Sequence, residues 1–511
     1  MLAKIYSGVN IGLETYLVEV EVDVGKGYPG FTMVGLPDKA VAEAGERIKS
    51  AIINSGWQWP AQNRVIINLA PADVKKEGAV YDLPMAIGIL VAAGQLPSDF
   101  LKEKSFFVGE LGLNGDLRQT KGILPMAIFA KKEKVTAFYL PQANSAEANL
   151  VKGLNFYPLT SLKSFIAHLK GEQPIKPLAG QGVHYSQTTE ALVDMAFVKG
   201  QEHVKRALEI AAAGGHNLLM SGPPGSGKTL LARAFTSILP RLSQEEILEV
   251  TKIYSVVGLL PASQPMITER PFRSPHHTIS DVALVGGGQY PRPGEISLAH
   301  RGVLFLDEFS EFSRPVLEAL RQPLEDGVVC VARAKRSITY PARFILIASQ
   351  NPCPCGYYGD PEKNCTCLPS QIIRYRQKIS GPLLDRIDLH ITVPRVKFEK
   401  LTEEKVAEES RFIRQRVEAA RARQLKRFNK KILTNAEMSS RELKEFVVLD
   451  ETSLALLREA VNKFYLSARA YHRLLKIART IADLAGQEKI SAEHVAEALI
   501  YRSQSQEKII Y

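Results

Sequence analysis

Residues 222–229 read Gly222, Pro223, Pro224, Gly225, Ser226, Gly227, Lys228 and Thr229, a complete G-x-x-x-x-G-K-[ST] loop. A loop of this kind handles the phosphates of a nucleoside triphosphate. Its glycines let backbone N–H groups turn inward around anionic oxygens, and the following helix adds the positive end of its dipole. Lys228 supplies a point charge for the terminal phosphates, and the Thr229 hydroxyl suits Mg²⁺. Further along, the apolar run Val303-Leu304-Phe305-Leu306 ends in Asp307 and Glu308. A buried strand closing on two carboxylates suits a magnesium-holding Asp307 and a Glu308 that polarises the attacking water. Another apolar run, Phe344 to Ala348, leads to Asn351, whose amide can orient that water; a plain turn asparagine is the alternative. The expected chemistry is ATP hydrolysis with Mg²⁺.

Two further groups carry chemistry of their own. Cys353, Cys355, Cys365 and Cys367 form C-x-C-x₉-C-x-C, while the fifth cysteine, Cys330, stands apart. Four thiolates within reach of one point suit a structural zinc that closes a small knuckle; buried or redox thiols are the other reading. The stretch from Val328 to Phe344 reads as a β-hairpin with Arg333, Lys335 and Arg336 at its tip. Such cations meet DNA phosphates without reading bases, although edge protection against aggregation also favours them. Arg411 to Lys431 is a second basic run, expected to be the solvated face of a helix.

These side chains need scaffolding. Tyr16 to Val24 alternates apolar and polar residues, a half-buried strand. Asp38 to Ser55 carries Val41, Ala44, Ile48, Ala51 and Ile52 on one helical face and stops at Gly56. Val65–Leu69 reads as a strand and Leu83–Ala93 as an apolar helix. Residues 171–190 are rich in Gly, Pro and polar types and read as a linker. A helix is expected over Ala191–Ala213, then the strand His216–Ser221 into the phosphate loop. Three helices close the chain: Ser453–Leu466, Arg469–Ala485 and Ser491–Arg502. At 511 residues the chain has room for about three domains of roughly 150 residues. Its 45% hydrophobic content excludes a disordered chain. No apolar run approaches the length of about 18 residues that a membrane span needs. The N-terminus lacks a signal-peptide core, so a cytoplasmic protein is expected. A net charge of +11 permits a polyanionic partner without requiring one.

The segments P-F-R-S-P-H-H-T-I-S, G-E-I-S-L-A-H-R-G-V-L-F-L-D-E, N-P-C-P-C-G-Y-Y-G-D and I-S-G-P-L-L-D-R-I-D resemble the ComM (YifB) family of magnesium-chelatase-like AAA+ ATPases. The resemblance runs from V-G-L-P-D near residue 34 to the final helices. It implies an α/β multidomain chain. Residues 1–170 would form a Lon-protease-like (ribosomal-protein-S5-like) α/β domain and 171–190 a linker. Residues 191–398 would form an AAA+ P-loop core with magnesium-chelatase-type inserts, and 399–511 a C-terminal helical lid. It also implies a homohexameric ring that hydrolyses ATP between subunits and drives branch migration of DNA, with recombination proteins as possible partners. Arg386 matches the arginine finger and Arg469 the lid's sensor arginine, with Arg473 as its substitute; a local ion pair is the alternative for each. The basic hairpin would point into the ring's channel. Ser274 to Gly294 resembles a second channel loop; packing is the alternative role for its His276 and His277. Where a Lon-type enzyme has its serine this chain has Tyr81-Asp82, and K-G-I-L-P-M offers no convincing partner lysine, so no peptidase is expected. The competing functions are a metallocofactor- or protein-remodelling machine of magnesium chelatase type and, more remotely, a peptide-binding protease regulator.

Overall fold

Alternation and burial build the N-terminal sheet. In the computed structural model, which describes residues 2–102, 104–182, 193–261, 264–288, 291–333, 336–396, 400, 407–429, 432–464 and 466–503, Leu2–Ile11 pairs antiparallel with Glu14–Gly25 along its whole length. Ile5, Val18, Val20 and Val22 fill one face, as a period of two requires. Among the described residues the sheet has eight strands, and Arg64–Ala70 and Gly30–Val34 complete one side. Ser105–Phe107, Ala137–Pro141, Asn155–Leu159 and Leu178–Ala179 extend the other. The helix Asp82–Ala92 is buried on every side, which explains its uniformly apolar sequence.

Among the described residues the second sheet has five strands, all parallel. Their order is Phe272–Arg273, Val303–Leu306, Ile345–Gln350, Leu218–Ser221 and Leu389–Thr392. Helices Glu202–Gly214 and Lys228–Ile238 share its core. No helix among the described residues is long and apolar enough to cross a membrane.

Several expectations change. The chain forms two compact units, 1–187 with 243–268, and 188–242 with 269–511. Residues 243–268, expected within the ATPase core, therefore belong with the N-terminal residues. Their helix Gln244–Val257 starts at a Ser243–Glu246 capping box and places Ser255 Oγ 2.5 Å from buried Glu147. Burial raises the Glu147 pKa, and donors from Ser255 and Leu124 oppose that shift. Packing is continuous across the expected 398/399 boundary. Ile413, Val417, Leu474, Ile477 and Ile481 share one apolar cluster with Leu218, Met220 and Ile391. Leu178–Ala179, expected in the linker, pairs with the strand Asn155–Leu159; residues 183–192 of that linker lie outside the described residues. The helix expected from Ala191 begins only at Glu202, because Gly200 and Gln201 adopt left-handed backbone just before it.

The basic run is a solvated face only in part: Arg411, Arg416, Arg423 and Lys426 are exposed, yet several of its cations have partners. On the helix Ser410–Arg427, Arg416 pairs with Glu209 and Glu408, and Arg421 donates to Ala212 O. Arg423 donates to Asp483 O, and Arg427 grips the buried Asp483 carboxylate. These cations hold helices together.

Candidate functional site

In a parallel sheet the open carboxyl ends of the strands are where ligands collect. Here Ser221, Leu306 and Gln350 end adjacent strands, and the expected chemistry lies just beyond them. Pro224, Gly225, Ser226, Gly227, Lys228, Thr229, Asp307, Glu308 and Asn351 line one cleft of about 370 Å³. Gly222 and Pro223 belong to the same loop, whose Gly222 N–H is tied to Gln350 O at 3.2 Å. Gly222 has to be glycine, since a Cβ there would lie 2.2 Å from Val393 O. Gly227 caps the helix Lys228–Ile238 at a φ of 86°, so the chain turns left-handed and then at once into the helix.

Lys228 is the buried cation of the cleft. Its Nζ donates to Gly222 O at 2.8 Å, Pro223 O at 2.9 Å and Asn351 Oδ1 at 3.4 Å. Among the described residues these hydrogen-bond partners are all neutral oxygens. Burial lowers its pKa and the charge of Asp307 opposes that, so an arriving anion is stabilised. The residues also fit a magnesium ion. Octahedral Mg²⁺ with bonds of about 2.1 Å places adjacent oxygens about 3.0 Å apart. Thr229 Oγ1 and Asp307 Oδ2 are 2.9 Å apart. Asp307 Oδ1 accepts from the Ser349 hydroxyl, a partner that a lone residue at a strand end does not announce in sequence.

Glu308 sits in left-handed backbone at a φ of 53°, a conformation that turns its side chain away from the strand direction. Its Oε2 lies 3.2 Å from His277 Nδ1. Sequence reading gave His277 no catalytic role and left packing as one alternative. It does stack on His276, with ring centroids 4.1 Å apart, but it also holds the carboxylate expected to act on water.

The two expected arginines do not line this cleft. Arg386 is nearly buried; its Nη1 donates to Pro382 O at 2.8 Å and its Nη2 pairs with Glu325. Arg469, which is largely exposed, reaches the same Glu325 carboxylate at 3.5 Å. Arg473 pairs with Asp388 and donates to Arg386 O at 2.8 Å. Burial opposes ionisation of Asp388, yet Arg473, His216 and the Asn217 N–H hold it well below the usual carboxylate range.

All four clustered Sγ atoms lie within 4.8 Å of one another. Cys353 is 3.3 Å from Cys355 and 3.6 Å from Cys365. Zinc–thiolate bonds of about 2.3 Å in a tetrahedron separate sulfurs by roughly 3.8 Å, so small adjustments complete the site. The Tyr357 N–H is the foremost of the groups that bring Cys355 down to about 5. The hairpin forms from Val328–Arg333 and Arg336–Pro341, and Arg333 pairs with Arg336 next to the turn. Lys335 lies outside the described residues, as do the side chains of Arg333 and Arg336.

In the N-terminal unit, Tyr81 is buried and its hydroxyl has no hydrogen-bond partner among the described residues. Asp82 accepts two hydrogen bonds from Arg47 and one from the Leu111 N–H. Its acceptors are therefore occupied within the fold.

The phosphate loop, the paired carboxylates and the parallel sheet define a magnesium-chelatase-like AAA+ ATPase, a class that uses ATP and Mg²⁺. Three family models match: "Magnesium chelatase, subunit ChlI" over residues 194–401, "Subunit ChlI of Mg-chelatase" over 20–144, and the ChlI C-terminal model over 407–502. The chain is 45% identical to competence protein ComM of Haemophilus influenzae over 507 residues, 98% of this chain and 97% of that protein. It is 45% identical to YifB of Escherichia coli over 505 residues, with the same coverage. The 38 kDa magnesium-chelatase subunit of Rhodobacter capsulatus is 28% identical over 182 residues, 32% of this chain and 51% of that protein. The chain belongs to the ComM/YifB family.

Proposed function

We propose that this protein is an ATP-driven DNA motor, a homohexameric ring that moves branched or single-stranded DNA irrespective of sequence. Lys228 and the loop N–H groups would hold the phosphates, with Thr229 and Asp307 on Mg²⁺. Glu308 would polarise water and Asn351 would orient it. The observation that carries the assembly is the pairing of Arg386 and Arg469 on Glu325, away from the lining of their own chain's cleft. A finger arginine offered to a neighbouring chain would tie hydrolysis to ring formation. The basic hairpin and the competence relative favour DNA as the load. The setting is then the cytoplasm, beside recombination proteins. Zinc on Cys353, Cys355, Cys365 and Cys367 would be structural.

A metallocofactor-remodelling machine is the second reading, supported by the matched magnesium-chelatase subunit. A mobile four-way DNA junction with and without ATP tests the first reading. ATPase stimulation by DNA, porphyrin or protein separates the two. Junction movement that needs ATP is expected. An ATPase indifferent to DNA and stimulated by porphyrin would replace the motor with the second reading.

A further inference from the structure

We propose that the four-cysteine knuckle is a metal-built wall of the nucleotide pocket, so that bound zinc controls nucleotide affinity as well as local folding. The proposal rests on the ATP reading above and adds a part to that site.

The knuckle, residues 353–367, hangs between the strand Ile345–Gln350 and the helix Pro369–Arg376 and contains neither helix nor strand. Only Cys353 and Gly356 within it are buried. Ordering such a segment costs about 1–2 kcal/mol per residue in backbone entropy, which so little apolar burial does not offset. Four thiolates on one soft divalent cation can offset it.

Once ordered, the segment lies against the phosphate loop. Gly356 has a φ of 86°, and a Cβ built on it would sit 2.6 Å from Pro224 Cδ and 2.8 Å from Pro224 Cγ. The knuckle backbone is thus in direct contact with the loop, at a point where no side chain fits. The same segment shapes a hollow of about 720 Å³ that continues the phosphate cleft past Gly225 and Leu230. Phe197, Val198, Glu362 and Arg395 line that hollow. Glu362 is a knuckle residue. Arg395 is aimed by one, because its Nε lies 3.1 Å from Asp360 Oδ2 and its guanidinium lies 5.4 Å from the Tyr357 ring centroid. Asp360 in turn accepts the Glu362 and Lys363 N–H groups at 2.8 and 3.2 Å. Losing the metal would free Gly356 from Pro224 and Asp360 from Arg395, and would open the hollow where the nucleoside end of the ligand would lie.

The test uses the full chain purified without added metal. Elemental analysis should find about one zinc per chain. A fluorescent ATP analogue is titrated in the presence of Mg²⁺ before zinc is displaced with an organomercurial, after its removal with excess thiol and chelator followed by dialysis, and after return of ZnCl₂. Affinity should fall by about tenfold or more on removal and recover with zinc. Circular dichroism should show the helices intact. Gly356→Ala should retain zinc and still weaken binding, which separates the wall from the metal. Zinc removal without a change in affinity would overturn the proposal, as would a chain that holds no zinc. An untreated chain with no affinity for the analogue would remove the phosphate-loop reading together with it.

Discussion

Replacing Glu325 by Gln should speed ATP hydrolysis modestly, while replacing Arg386 by Ala should nearly abolish it. To reach a neighbouring chain's phosphate, Arg386 must leave Glu325. Its side chain is only 7% exposed, and its Nε has no acceptor among the described residues. The Glu325 side chain is 49% exposed, so the pair is screened and worth about 0.5–1 kcal/mol. The hydrogen bond from Arg386 leads the causes that hold Glu325 below its usual range. Glutamine keeps an acceptor and removes the charge. The release cost then falls by less than about 1 kcal/mol, a rate gain of roughly twofold to fivefold where release limits turnover. Alanine at 386 removes the transition-state cation itself, an effect of about 10³–10⁵. Steady-state phosphate release at saturating ATP, with assembly verified, measures both. Equal losses in the two variants would mean that Glu325 aims Arg386 for catalysis and does not restrain it. Normal turnover in Arg386→Ala would take that residue out of the reaction.

Lys228→Ala should lose nucleotide binding, since it removes the cleft's buried cation, whereas Glu308→Gln should bind and stall; fluorescence titration beside phosphate release separates them. Rings mixed from Lys228→Ala and Arg386→Ala chains should regain activity, because one kind of interface then holds an intact loop and an intact finger; no recovery in verified mixtures would put Arg386 in its own subunit's chemistry. Replacing Arg333, Lys335 and Arg336 together by Ala should weaken binding of unrelated DNA sequences alike and flatten the log–log salt dependence by roughly 0.7 per lost contact on single strands. An unchanged slope would clear the hairpin of that role. Burial pushes Asp82 up to about 6 despite Arg47, so its ionisation works against the fold. Stability is full while the group is protonated and falls by about 3 kcal/mol as pH rises from about 4 through about 6. Chemical denaturation of the wild-type chain against Asp82→Asn should show that difference develop over this window.

The phosphate loop was legible because its donors are eight consecutive residues, so covalent spacing alone brings them together. The runs ending at Asp307 and at Asn351 were legible for a related reason: a fully apolar strand can only be central, and its end then falls at the mouth of a parallel sheet. The cysteines declared themselves through short spacing. Tertiary packing decided what lies far apart in the chain. His277 meets Glu308, Gly356 touches Pro224, and Arg386 and Arg469 share Glu325. No local pattern encodes those meetings. The basic helix was legible only in part for the same reason: charge along a sequence says nothing about which neighbours accept it, and here Glu209, Glu408 and Asp483 do. The place of the helix Gln244–Val257 beside Glu147 in the N-terminal unit followed from a buried carboxylate that needed a donor and found one at Ser255.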